Sequence, residues 1–118
     1  MPKNTGQISR EESMHPSRSY HASLIEDLKD PLEACAYLNV ALKEGDKKHF
    51  LIALRNVAEA HGGLLLLARK ARMNRGHLYH MLSKGGNPEI ESLHQILCTF
   101  GLDLAIVPAK SRKLLKAA

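Results

Sequence analysis

The stretch LARKARMNRGHLYHMLS, residues 67–83, predicts two short helices joined by a turn. It places four Arg or Lys side chains and two His side chains among Leu, Ala and Met, and it contains no acidic residue. Asn74, near its centre, is a preferred N-cap because its side chain accepts a hydrogen bond from a free backbone N–H group of the first turn. We therefore predict one helix from Leu64 to Ala71 and a second that Asn74 caps and that runs to about Leu82.

This arrangement predicts a helix-turn-helix, in which the second helix lies in the major groove of DNA. One face of that helix must hold it to the core, and Leu78 with Met81 or Leu82 provides apolar side chains at a suitable spacing. The opposite face stays free to contact bases and phosphates. The outward positions, which we predict to bind DNA, are Asn74, Arg75, Gly76, His77, Tyr79, His80 and Lys84.

Further helix-start and helix-stop signals lie on the N-terminal side. Asp30 followed by Pro31 is typical of a helix N-terminus, and Gly45 of a C-terminal stop. Asp46 can cap the next helix, which Gly62 and Gly63 end. Apolar residues at helical spacing predict the buried faces: Leu32, Cys35, Leu38 and Leu42 in the first of these helices, and Phe50, Leu51, Leu54, Val57 and Ala58 in the second.

On the C-terminal side, Asn87-Pro88 predicts the start of another helix, which Gly101 ends. Alternating residues from Leu102 to Val107 predict a short strand, and the mixed pattern from Tyr20 to Leu28 favours an extended segment or a strand. The predicted fold is all-α or nearly so, with about five helices around a helix-turn-helix, a short C-terminal strand and a disordered N-terminus. The buried residues of the last helix are predicted to be Ile90, Leu93, Leu97 and Phe100.

Length and composition predict one domain. The chain has 118 residues, of which 44% are hydrophobic, enough for a single core. We expect a domain over residues 20–108, a polar disordered tail over 1–19 and a basic tail over 109–118. Cys35 and Cys98 lie in apolar helical patterns, so we expect two small core residues and no disulfide. With neither a secretion signal nor a membrane span in the sequence, we expect a cytoplasmic protein without a membrane partner.

The distribution of charge indicates two different partners. The chain carries a formal net charge of +5, which favours a polyanion such as nucleic acid. Residues 69–84 contain five Arg or Lys and no acid, whereas residues 20–46 contain six acids and two Lys, a net charge of −4. We predict that the basic stretch binds DNA and that the acidic stretch binds something else.

The sequence from Leu64 to Phe100 resembles the phage-repressor-like (XRE) helix-turn-helix family, which has an apolar-Ala first helix, a turn, a polar second helix and an Asn-Pro-initiated helix. Arg72 departs from that pattern, because the family commonly has Gly in the turn. Over residues 26–108 the chain also resembles HigA-like addiction-module antidote proteins. The features that carry this resemblance are D-P-x-x-A-x-x-Y-L from Asp30, Leu-Tyr-x-x-Leu-Ser from Leu78, and Gly-Asn-Pro from Gly86.

The resemblance implies an antitoxin that neutralises a small toxin of the RelE/ParE type and represses the promoter that the two genes share. We expect it to bind a palindromic operator as a homodimer. The acidic stretch is the predicted toxin-binding surface, because toxins of this type are implied to be basic. An acidic surface with capping duties alone is the other interpretation. The residues predicted to bind the toxin are Tyr20, Glu26, Asp27, Asp30 and Glu33.

Other functions remain as alternatives. A prophage-type repressor without a toxin would share the helix-turn-helix, and an interaction adaptor would have lost DNA contact. We do not expect an enzyme, because no nucleophile elbow or phosphate-binding loop appears in the sequence. His77 and His80 lie three residues apart, yet no further ligand is apparent near them. We therefore expect contacts with bases or phosphates there, and neither a metal site nor a cofactor.

Overall fold

In the computed structural model, residues 18–109 are described, and they form six α-helices and no strand. The all-α prediction is confirmed for this part of the chain, although it contains one helix more than predicted. The helices are α1 (Arg18–Asp27), α2 (Pro31–Lys43), α3 (Lys47–Ala60), α4 (Leu64–Lys70), α5 (Arg75–Met81) and α6 (Ile90–Thr99).

Helix α3 is at the centre of the fold. Helices α1, α2 and α4 pack against it, and α4 in turn contacts α5 and α6. Leu51, Leu54 and Val57 are at most 1% exposed, which confirms the predicted buried face of α3. Phe50 is half-buried at the edge of this core. The helix-turn-helix is therefore attached to the rest of the domain mainly through α4.

The predicted boundaries of α2 and α3 are confirmed by their caps. The Leu32 N–H donates to Asp30 Oδ1 at 3.0 Å, and Pro31 occupies the first turn of α2. The Lys48 N–H donates to Asp46 Oδ1 at 2.9 Å. Between the two helices, Gly45 has a φ of +71°, a conformation that glycine adopts without steric cost.

The predicted buried face of α2 is wrong in part. Leu38 is buried, but Leu32 is 79% exposed and Leu42 is 51% exposed. The buried face consists instead of Ala34, Leu38 and Ala41. Small side chains let two helices approach closely, so α2 turns its alanine side toward α3 and leaves the larger leucines outside.

The N-terminal part of the domain is helical, not extended. The prediction of an extended segment or a strand over residues 20–28 is wrong, because α1 covers Arg18–Asp27. Leu28, which follows it, is 2% exposed, and Leu24 and Ile25 pack partly against the core. This spacing of i, i+1 and i+4 suits a helix on α3. Residues 18 and 19 thus belong to α1, not to the predicted tail; residues 1–17 and 110–118 lie outside the described part.

Three predictions for the C-terminal part are also wrong. The predicted strand over residues 102–107 is irregular backbone, because the described residues offer no strand to pair with it, and Ile106 is fully exposed. Helix α6 begins at Ile90, later than Asn87-Pro88 predicts, because Glu89 is still extended with a ψ of 155°. Ile90, which was predicted to be buried, is 76% exposed, and Ile96 lies in the core instead, with 0% of its surface exposed.

His61 joins three helices near the end of α3. Its Nε2 atom lies 3.0 Å from the carbonyl oxygen of Leu28, which follows α1, and its ring packs at 5.3 Å from that of Phe100, after α6.

No described helix is by itself long and apolar enough to cross a membrane; α3 and α4 reach that length and composition only when taken together, across a bend of 85°.

Candidate functional site

Helix α5 has one buried face and one exposed face. Leu78 and Met81 are at most 3% exposed, and Leu82 after the helix is fully buried, so the predicted attachment to the core is confirmed. Tyr79 is 45% exposed although it is a large side chain. All seven residues predicted to bind DNA are exposed: Asn74, Arg75, Gly76, His77, Tyr79, His80 and Lys84.

The start of α5 is held by a side-chain cap. The His77 N–H donates to Asn74 Oδ1 at 2.9 Å, which confirms Asn74 as the N-cap. This hydrogen bond occupies the amide oxygen and leaves the amide nitrogen of Asn74 as a donor toward solvent. Gly76 lies in the same first turn, and a Cβ there would be 3.3 Å from Asn74 Oδ1. The first turn therefore presents a small, donor-rich surface.

The turn between α4 and α5 contains the departure noted in the sequence. Arg72 has a φ of +58° and, among the described residues, no other non-glycine residue has a positive φ. The Met73 N–H donates to the Ala68 carbonyl at 2.9 Å, and the Arg72 N–H donates to the Arg69 carbonyl at 3.3 Å. These two bonds form a Schellman motif, which usually has glycine at the position of Arg72. The side chain of Arg72 is exposed beside α5.

The loop after α5 is fixed by close backbone packing. Gly86 is buried, and a Cβ at this residue would overlap the carbonyl group of Met81. The Ser83 hydroxyl donates to the His80 carbonyl at 2.6 Å and closes the end of the helix. Lys84 is exposed at the tip of this loop. These contacts fix the backbone of the loop that carries Lys84 after the end of α5.

Positive charge dominates this side of the domain. Arg69 and Lys70 lie in the last turn of α4, and both are exposed. With Arg72, Arg75 and Lys84 they make the segment from the end of α4 to the loop after α5 cationic, because no acidic residue occurs between Glu59 and Glu89. Such a segment attracts a polyanion over a distance of about one Debye length, ~8 Å at physiological salt.

The predicted toxin-binding residues lie on different helices from α5. Tyr20, Glu26 and Asp27 belong to α1, Asp30 caps α2, and Glu33 lies in the first turn of α2. All five are exposed. Glu26 pairs with Lys29 at 3.0 Å, and Asp30 is occupied as a cap. Neither Asp27 nor Glu33 has a side-chain ion pair within residues 19–109, so these two carboxylates are available to a partner.

Exposed apolar residues accompany this acidic surface. Leu32 lies between Asp30 and Glu33 in sequence and is 79% exposed, and Val40 and Leu42 on the same helix are 55% and 51% exposed. These are the side chains that the alanine face of α2 leaves outside. Exposed apolar side chains on a helix are available to a partner.

One cluster of chemically reactive side chains was missed at the sequence level. His94, Cys98 and Asp103 place their ligand atoms within 4.8 Å of one another. Cys98 is exposed, so the prediction that it is a core residue is wrong, while Cys35 is half-buried. His94 and Cys98 are four residues apart on α6, and that spacing was the signal available in the sequence.

Comparison with known proteins identifies the family. The family model described as "Probable addiction module antidote protein" matches residues 20–108, well over half of the chain. No curated protein and no solved structure matches the chain. An antidote protein in general implies a toxin partner. The chain therefore belongs to the family of probable addiction module antidote proteins.

Proposed function

We propose that this protein is the antitoxin of a type II toxin-antitoxin module, that it neutralises a RelE/ParE-type toxin in the cytoplasm, and that it represses its own operon by sequence-specific DNA binding. The family membership supports the antitoxin role in general. The observation that carries the DNA-binding part is the exposed face of α5, which presents Arg75, His77, Tyr79 and His80 while its other face is buried.

The α5 surface suits readout of the major groove. In our proposal, Arg75, Gly76, Tyr79 and His80 face the base edges, because arginine offers a bidentate donor pair to guanine and tyrosine and histidine offer single hydrogen bonds. Gly76 lets the backbone come close to the DNA at the start of the helix. His77, exposed in the same turn, contacts the DNA beside them.

Phosphate contacts flank these base contacts. Asn74 can donate from its free amide nitrogen, and Lys84 contributes a point charge from the loop after α5. The N-terminus of α5 adds backbone N–H groups that attract a phosphate. Contacts of this kind fix the orientation of the protein on the duplex without reading sequence.

One seven-residue helix contacts too few base pairs for tight binding. We therefore propose a homodimer whose two α5 helices enter successive major grooves about 34 Å apart, on a palindromic operator. DNase footprinting on the promoter of the operon, together with light scattering, tests this arrangement. We expect two protected half-sites and the mass of a dimer. A monomer that protects one unrepeated half-site would contradict it.

The toxin-binding part of the proposal is based on the acidic surface of α1 and α2. Complementary charge mainly increases the association rate, whereas buried apolar side chains hold the complex together. Asp27 and Glu33 supply the free charge, and Leu32 in the first turn of α2 supplies an exposed apolar side chain. In this arrangement, toxin and DNA bind to different helices of the same domain.

Substituting surface residues tests this better than deleting the N-terminal segment. Deletion of residues 1–29 would also remove Leu28, which is buried in the core. The product of the adjacent gene is co-expressed with the wild type, with the double variant Asp27→Lys/Glu33→Lys, or with Glu91→Lys. Glu91→Lys is the control, because Glu91 is an exposed acidic residue on α6. We expect the double variant to lose growth rescue and to bind the toxin at least about tenfold more slowly at low salt.

The operator affinity of the double variant is expected to remain within about twofold of the wild type, since both substitutions lie away from α5. Full rescue by the double variant would place the toxin contact on another surface. If the wild type itself neither bound the adjacent product nor rescued growth, a prophage-type repressor without a toxin would replace the antitoxin proposal.

A further inference from the structure

Three potential metal ligands converge on the outer face of α6. His94 Nε2 lies 2.9 Å from Asp103 Oδ1 and 3.5 Å from Cys98 Sγ. The His and Cys side chains are one helical turn apart, while Asp103 comes from the segment that follows the helix. All three residues are exposed, so a cation in solution can reach them.

The end of α6 explains why Asp103 returns to this face. Gly101 has a φ of +83°, and the Leu102 N–H donates back to the Leu97 carbonyl at 2.9 Å. Leu102 then packs partly against the core, which turns the chain back over α6. The geometry of the cluster therefore depends on a helix end that is itself anchored.

The carboxylate of Asp103 is held in its ionised form. Its Oδ1 atom accepts a hydrogen bond of 2.8 Å from the Leu104 N–H. This hydrogen bond and the one from His94 lower the pKa of Asp103 below its ordinary value.

The arrangement does not fit a catalytic relay. In a Cys-His-Asp relay the thiol and the carboxylate contact opposite nitrogens of the imidazole, so that a proton can pass through the ring. Here Cys98 and Asp103 both lie next to Nε2 of His94. Nitrogen, sulfur and oxygen atoms that converge on one point can instead bind a cation, once the imidazole proton has moved from Nε2 to Nδ1 and the thiol has lost its proton.

We infer that His94, Cys98 and Asp103 bind a zinc ion, with the fourth tetrahedral position open to water. Zinc bond lengths of about 2.0 Å to nitrogen and oxygen and 2.3 Å to sulfur place tetrahedral N and S ligands about 3.5 Å apart and N and O ligands about 3.3 Å apart. The cluster has distances of 3.5 Å and 2.9 Å for these pairs. The N–S distance matches the zinc value, and the N–O distance has to lengthen by about 0.4 Å.

Binding of the ion joins α6 to the irregular segment after it. Without the ion, that segment is attached through the half-buried Leu102 and the His94–Asp103 pair. Its residues Leu104, Ile106 and Val107 are 38%, 100% and 56% exposed. Zinc thus adds a bond between the helix and an apolar segment.

Lys70 at the end of α4 and Arg72 in the turn after it line a shallow groove with His94 and Cys98. Their positive charge opposes a divalent cation. The site is also open and has three protein ligands. We therefore expect weaker binding than in closed structural sites with four protein ligands.

The test is titration of the whole chain, reduced and stripped of metal, with Co²⁺ as a spectroscopic probe and with Zn²⁺ in calorimetry. We expect one ion per chain, a thiolate-to-Co²⁺ absorption band, and displacement of Co²⁺ by Zn²⁺. Cys98→Ser is expected to abolish the band, and Asp103→Asn and His94→Ala to weaken binding at least about tenfold. Circular dichroism establishes that each variant is folded.

Two control variants separate this site from general metal binding. Cys35→Ser removes the other thiol, and His49→Ala removes a His that pairs with Asp46 at 3.1 Å without a thiol nearby. Both are expected to bind Co²⁺ as the wild type does. A band that persists in Cys98→Ser, a band lost in Cys35→Ser, or one ion shared by two chains would overturn the inference.

Discussion

Replacing Arg72 with glycine separates the stability of the helix-turn-helix from its charge. Arg72 sits at a φ of +58° in the Schellman motif that ends α4. A left-handed conformation costs a non-glycine residue about 1–2 kcal/mol. Glycine removes this cost, but its unfolded chain has more conformational freedom, which lowers the stability of the folded state by about 0.5–1 kcal/mol. Arg72→Ala removes the same charge and retains the strain, so it is the matched control.

The difference between the two variants isolates the backbone effect, because both lose the same interaction with the C-terminus of α4. We expect Arg72→Gly to be more stable than Arg72→Ala by about 1 kcal/mol. For a domain of this size that corresponds to a difference in Tm of about 4–8 °C. Thermal unfolding followed by the helical circular dichroism signal measures this difference in Tm.

Both variants are expected to bind operator DNA more weakly than the wild type. If Arg72 contacts one phosphate, each substitution lowers the slope of log K against log salt by about 0.9. Equal Tm values for the glycine and alanine variants would refute the assigned backbone strain. An unchanged salt slope in both would show that Arg72 contacts no phosphate.

Further substitutions test the individual parts of the fold and site. Arg75→Ala should relax sequence specificity and cost about 1–3 kcal/mol of operator binding, whereas Lys84→Ala should weaken all sequences alike and lower the salt slope by about 1; competition titrations distinguish the two. Gly86→Ala should lower the free energy of unfolding by about 1–3 kcal/mol through overlap with the end of α5, while Gly85→Ala, with open space around it, should be close to neutral in urea unfolding. His61→Ala should lower the free energy of unfolding by about 1–3 kcal/mol, because the carbonyl after α1 loses its partner; an unchanged urea midpoint would show that water replaces the imidazole.

Features that depend on a few neighbouring residues could be predicted from the sequence. The caps at Asp30, Asp46 and Asn74 and the stop at Gly101 are local, because each requires one side chain or one backbone conformation next to a helix end. The exposed face of α5 was predictable for the same reason, since Leu78 and its apolar neighbours define its buried side.

Features that depend on tertiary packing could not be predicted in this way. The prediction of the buried side of α2 was wrong because helical spacing fits both the leucine face and the alanine face, and only contact with α3 decides which face is buried. The prediction of a strand after α6 was wrong because a strand needs a neighbouring strand with which to form backbone hydrogen bonds. His94 and Cys98 shared a visible spacing, but Asp103 joins them only after the chain turns at Gly101.

The most direct test of the proposed function is the preference of the whole chain for its own promoter. Fluorescence anisotropy compares the duplex upstream of its coding sequence with a scrambled duplex of equal length and composition at about 150 mM salt, near the physiological ionic strength. We expect the promoter to bind at least about 10³-fold more tightly, and Arg75→Ala to reduce that ratio. Equal affinity for the two duplexes would contradict the proposal that α5 reads DNA sequence.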